Sequence, residues 1–84
     1  MDNNLILIGY VKASGYRIQL LKKLTEKPFT PTELAHLTKI NKGHVSRTLK
    51  ELCEKKLIEC GNKDAKKGRM YIITEIGKKT IKDL

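Results

Sequence analysis

The stretch Thr30-Pro-Thr-Glu-Leu-Ala-His-Leu-Thr-Lys-Ile-Asn-Lys-Gly-His-Val-Ser-Arg-Thr-Leu-Lys-Glu-Leu52 contains the start of one helix, its end, and the start of a second. Thr30-Pro31-Thr32-Glu33 is a capping box with proline at the first helical position. The Thr30 hydroxyl accepts from the N–H of Glu33, and the Glu33 carboxylate reaches back to the N–H of Thr30. The helix opened there carries Leu34, Ala35 and Leu37 and must be short, because Thr38-Lys39-Ile40-Asn41 interrupts it. Asn41 is a suitable cap for a longer helix reaching to about Lys56. Val45, Leu49 and Leu52 stand on that helix at i, i+4 and i+7, so they share one buried stripe.

A short capped helix, a four-residue turn and a longer helix make a helix-turn-helix, here over residues 30–56. Ala35 is small where the two helices cross, and Ile40 plugs the turn. At about 100° per residue, the face opposite Val45 carries Gly43, Arg47 and Lys50, flanked by His44 and Ser46. Arg47 can contact guanine O6 and N7 through two hydrogen bonds. His44 and Ser46 can reach base edges or phosphates. Gly43 lets the backbone approach a phosphate at the helix N-terminus. Lys39 and Lys42 suit phosphate contacts that fix position without reading sequence.

Upstream, Ser14 is an N-cap for a helix carrying Ile18, Leu20, Leu21 and Leu24, which ends before Pro28. Lys27 to Phe29 reads as a short extended link. Residues 1–13 include Leu5, Ile6, Leu7, Ile8, Tyr10 and Val11, which fit either a helix or an extended arm that covers the core or forms a dimer contact. Downstream, Leu57 to Cys60 and Met70 to Ile73 read as two strands of a hairpin spanning 57–74. Its loop, Gly61-Asn-Lys-Asp-Ala-Lys-Lys-Gly68, is polar and basic, with Lys63, Lys66, Lys67 and Arg69 against Asp64 alone. Such a hairpin beside a recognition helix lies along the backbone or dips into the adjacent minor groove. Residues 75–84 read as a short helix with Ile76, Ile81 and Leu84 facing inward. The whole, 1–84, is read as a single domain: mainly α with a small β hairpin, a three-helix core plus hairpin and a short C-terminal helix.

The net charge of +9, from 18 Lys and Arg against 9 Asp and Glu, calls for an anionic partner. Ten basic and four acidic residues lie between Lys39 and Arg69, so most of the excess sits in this motif. Aromatic residues make up only 5% of the chain, too few to interleave with the basic positions as single-stranded RNA binding by stacking requires. Cys53 and Cys60 form no CxxC pair, His36 and His44 have no ligand spacing, and the cysteines read as small core residues, so no metal or cofactor is expected. No GxSxG, HExxH or P-loop occurs, and an enzyme is not expected. The longest apolar run, Leu5 to Ile8, is far too short to span a bilayer. No cleavable leader opens the chain, so a cytoplasmic protein is expected. Double-stranded DNA is the expected partner. The alternative is a module that joins a protein assembly or coats nucleic acid without sequence preference, which a salt titration would separate from specific binding.

Ser14-Gly-Tyr-Arg17 leading into Ile18-Gln-Leu-Leu21 resembles the opening helix of ArsR-like regulators. Thr32-Glu-Leu-Ala35 followed by His44-Val-Ser-Arg47-Thr-Leu-Lys-Glu-Leu52 is similar to the helix-turn-helix of MarR and ArsR regulators. Lys56-Leu-Ile58, Lys67-Gly-Arg69-Met-Tyr71 and Ile73-Thr-Glu-Ile-Gly77 look like the wing and final helix of the same superfamily. The combination most resembles small archaeal winged-helix transcription regulators. It implies a winged helix-turn-helix in which the helix from Lys42 recognises DNA through Ser46, Arg47 and Lys50, with Arg69 in or near the wing. It also implies a homodimer at inverted repeats, with the transcription machinery as a further class of partner. There are departures. Only a short stretch follows Gly77, where MarR proteins dimerise through long terminal helices, so a dimer would use residues 1–26. Lys67 replaces the acidic residue usual two before the wing arginine. Of the two cysteines that ArsR metal sensors carry in this helix, only Cys53 matches, and Lys55 stands at the partner position.

Overall fold

The computed structural model describes residues 3–84; Met1 and Asp2, part of the expected N-terminal segment, lie outside the described residues. The elements run α1 (Asn3–Lys12), α2 (Gly15–Leu24), α3 (Pro31–Thr38), α4 (Lys42–Glu54), β1 (Ile58–Cys60), β2 (Tyr71–Ile73) and α5 (Glu75–Lys82). The N-terminal segment is therefore a helix. Four of the five helices begin at an oxygen-bearing cap: Ser14, Thr30, Asn41 and Thr74 each accept from a backbone N–H of the first turn. At α3 both arms of the capping box form. Glu33 N donates to Thr30 Oγ1 at 3.1 Å and Thr30 N to Glu33 Oε1 at 2.8 Å. The reciprocal backbone bond holds the Glu33 carboxyl below its ordinary range.

The turn of the helix-turn-helix is set by backbone geometry. Lys39 takes φ 63°, a left-handed conformation that stops α3. Thr38 Oγ1 donates to the carbonyl of Leu34 at 2.6 Å and accepts from the N–H of Ile40 at 3.3 Å, which points Ile40 into the core. The longer helix stops at Glu54, earlier than Lys56. There Lys56 adopts φ 61°, its N–H donates to Cys53 O (2.9 Å), and the N–H of Leu57 donates to Leu52 O (3.0 Å). These two bonds are a Schellman closure, formed by a lysine where glycine is usual.

The core gathers Val11 of α1, Leu20, Leu21 and Leu24 of α2, Leu34 of α3, Val45, Leu49 and Leu52 of α4, and Leu57, Ile58 and Ile73 around the sheet. β1 and β2 pair antiparallel in the register Ile58↔Ile73, Glu59↔Ile72 and Cys60↔Tyr71. The link read at Lys27–Phe29 does more than connect. Phe29 and Tyr71 exchange both backbone hydrogen bonds, at 3.3 and 2.9 Å, so the hairpin is tied to the residue preceding the helix-turn-helix.

Helix α5 corrects one expectation. Ile76 and Leu84 do not face inward; they are 47% and 36% exposed, and α5 buries Gly77 and Thr80 instead. The reason is close approach. A Cβ on Gly77 would collide with the carbonyl oxygen of Leu57, so the helix lies against the backbone there. Thr80 satisfies its hydroxyl internally by donating to Ile76 O at 2.8 Å. Ile81, half-buried, does pack on the core as expected.

Candidate nucleic-acid interface

Helix α4 divides into two faces. Val45, Thr48, Leu49 and Leu52 are buried, while Lys42, Gly43, His44, Ser46, Arg47 and Lys50 are all exposed. The first acidic residue along α4 is Glu51, whose carboxylate is engaged by Arg17 at 3.3 Å. The outward face from Lys42 to Lys50 therefore carries positive charge without a competing carboxylate of its own. Gly43 has a local reason beyond close approach to a phosphate. Its N–H is held by Asn41 Oδ1 at 2.8 Å, and a Cβ there would press on the same oxygen at 3.1 Å.

The hairpin loop is organised by two side chains. Asn62 Oδ1 accepts from Met70 N at 2.7 Å, and its Nδ2 donates to Gly68 O at 3.1 Å, which closes the neck of the loop. Gly68 has φ 67°, the one left-handed glycine among the described residues. Arg69 turns back on the loop, donating from Nε to Ala65 O (3.1 Å) and from Nη2 to Lys63 O (3.4 Å). Part of its guanidinium thus holds the shape that presents the neighbouring lysines.

Two parts of the chain far apart in sequence meet in one groove of about 490 Å³. Its walls are Thr30, Pro31 and Thr32 at the start of α3, Lys42 at the start of α4, and Lys66, Lys67, Gly68 and Arg69 of the hairpin loop, with Tyr71 below. Four of the expected contact residues are therefore brought together: Lys42, Lys66, Lys67 and Arg69. Lys63 is not among them; it lines a different groove with Cys53 and Cys60, and Arg69 lines both. Lys39 lies at the exposed turn before α4, outside both.

Three participants were not legible from spacing. Tyr16, 40% exposed at the start of α2, lays its ring against His44, with centroids 5.4 Å apart. Thr32 is exposed on the wall of the basic groove. Arg17 ties three helices together. Its Nη1 donates to Tyr10 O at 2.7 Å, its Nε pairs with Glu51, and its guanidinium sits 3.8 Å from the Tyr10 ring centroid. It thereby joins α1 to α4. A tyrosine and an arginine following an N-cap serine are the only local trace of this arrangement.

The sequence signature of the bacterial regulatory proteins of the ArsR family matches residues 14–60, from the cap of α2 to the end of β1. The chain belongs to the ArsR family. That span includes the helix-turn-helix and the outward face of α4. Among solved structures, the adhesin competence repressor of Streptococcus pyogenes is similar in fold, with a TM-score of 0.75 over 96% of this chain at 20% identity. This chain spans 65% of that repressor's length. No curated protein matches the sequence. Among the described residues, no helix is long and apolar enough to cross a membrane.

Proposed function

We propose that this ArsR-family chain binds specific double-stranded DNA sites as a homodimer and regulates transcription from them. The observation that carries the reading is the groove in which Lys42 of the recognition helix meets Lys66 and Lys67 of the hairpin. Cations from two elements converge where a phosphate backbone leaving the major groove would run. In this reading 1–84 acts as one winged-helix domain. Arg47 reads base edges in the major groove, with His44, Ser46 and Lys50 beside it. Lys39 and Lys42 hold phosphates, and the wing, with Lys63, Lys66, Lys67 and Arg69, lies on the flank.

The dimer is supported by exposed apolar side chains on α1 and α5. Leu5 and Ile6 of α1 are 67% and 54% exposed, and Ile6 and Ile76 of α5 line one groove of about 450 Å³, with Lys55, Lys56 and Lys79 on its walls. A second copy of the chain covering this surface would use α1, within residues 1–26, together with α5. Two-fold pairing then presents two recognition helices about 34 Å apart, one helical turn of DNA.

The test is the ratio of affinities for DNA selected from the source genome and for random duplex, in physiological salt. A ratio of about a thousand or more supports a specific regulator, and inverted-repeat symmetry in the selected site supports the dimer. A ratio near one points instead to a non-specific or assembly module. Arg47→Ala should cost about 1–3 kcal/mol on the selected site and much less on random DNA. Equal losses on both would remove Arg47 as a base reader.

A further inference from the structure

Two thiols seven residues apart in sequence open onto one groove of about 490 Å³. Cys53 faces it from the last turn of α4 and Cys60 from the end of β1, both free and half-buried. Cys60 also touches the closure of the wing. Its Sγ donates to Asn62 Oδ1 at 3.5 Å, the same oxygen that holds Met70 N. We propose that Cys53 and Cys60 form an intramolecular disulfide on meeting a hydroperoxide, and that this bond displaces the wing and weakens DNA binding. The effect on DNA rests on the function proposed above; formation of the bond does not.

Burial pushes the Cys53 thiol above its ordinary range, with Cys60 nearby adding to the effect. First attack therefore falls to Cys60. Its sulfur takes the terminal oxygen of the hydroperoxide, the O–O bond breaks, and the alcohol (or water, from hydrogen peroxide) leaves a sulfenic acid. The Cys53 sulfur then attacks the sulfenic sulfur and water departs. The peroxide has gained two electrons, and the two thiols have lost two electrons and two protons. A disulfide holds its two Cα atoms within about 4.4–6.8 Å, so the bond locks the end of β1 to the last turn of α4 across the groove. It also removes the S–H donor from Asn62, which fastens the loop carrying Lys66 and Lys67. Those lysines then lose their placement opposite Lys42.

The experiment treats the full chain with stoichiometric hydrogen peroxide and measures intact mass, the cross-linked peptide and affinity for duplex DNA. The expected product is lighter by about 2 Da and has no titratable thiol. It binds DNA about tenfold more weakly, the scale of losing one or two phosphate contacts, and dithiothreitol restores it. Cys53→Ser and Cys60→Ser should give no such product, and Cys53→Ser, which keeps the Cys60–Asn62 contact, should bind as the reduced chain does before and after treatment. A treated chain that keeps both thiols, or that links to a second copy, overturns the disulfide. A disulfide-bonded chain with undiminished DNA affinity overturns the coupling to the wing. If the reduced chain itself ignores duplex DNA, the functional reading falls, while the mass measurement still decides the bond.

Discussion

Removing the lysines of the basic groove offers a quantitative check on the proposal that the hairpin and α4 contact DNA together. The perturbation is the triple substitution Lys42→Gln, Lys66→Gln and Lys67→Gln. Arg69 is left intact because its guanidinium holds the carbonyls of Ala65 and Lys63, and its loss would confound charge with loop shape. All three lysines are exposed, so the fold should survive with a stability change within about 0.5 kcal/mol. Each phosphate contact contributes about 0.9 to the slope of log K against log salt. Three contacts per protomer are six in the proposed dimer, so the slope should become shallower by about 5. Between about 50 and about 200 mM KCl, the wild-type protein should therefore lose about a thousandfold more affinity than the variant. Fluorescence anisotropy of a labelled duplex across that salt range measures it, with circular dichroism melting as the control. A change of about 2 to 3 would indicate a single protomer on the DNA. A slope altered by less than about 1, in a variant that melts normally, would refute the groove as a backbone contact.

Two further outcomes test the scaffold beneath the site. Gly77→Ala should cost about 2–3 kcal/mol because its Cβ meets the Leu57 carbonyl, lowering Tm by about 10–20 °C. Gly15→Ala, which points into open space at the start of α2, should leave Tm unchanged or raise it; equal effects at the two positions would contradict the close approach. Glu33 gives a pH signature. Its carboxyl is held below the ordinary range chiefly by the Thr30 backbone N–H. The stability it contributes is present above the unfolded-state pKa and is lost as pH falls through the folded one. Glu33→Gln, which keeps an oxygen at the cap but cannot titrate there, should lose less stability than wild type between about pH 5 and about pH 3. Parallel acid dependence in melting experiments would argue against the capping box as its source.

The elements that depend on local chemistry were legible in the sequence. Thr30 with Glu33 announced α3, Asn41 announced α4, and the i, i+4, i+7 spacing of Val45, Leu49 and Leu52 assigned its buried face, because caps and periodicity act over one or two turns. The same periodicity exposed Arg47 and Lys50. Features that depend on what a second element brings were not legible. Ile76 reads as an inward residue at the start of an amphipathic helix, yet Gly77 sets the depth to which α5 sinks against Leu57. Phe29 reads as a link, yet Tyr71 pairs with it across the fold. Lys42 and Lys66 are both exposed lysines in sequence, and only the hairpin's attachment through Phe29–Tyr71 and the Asn62 closure sets them along one groove. Sequence alone therefore determined which residues could bear positive charge outward. The tertiary structure decided which of those charges converge, because that distance is fixed by packing between segments whose separation along the chain carries no record of it.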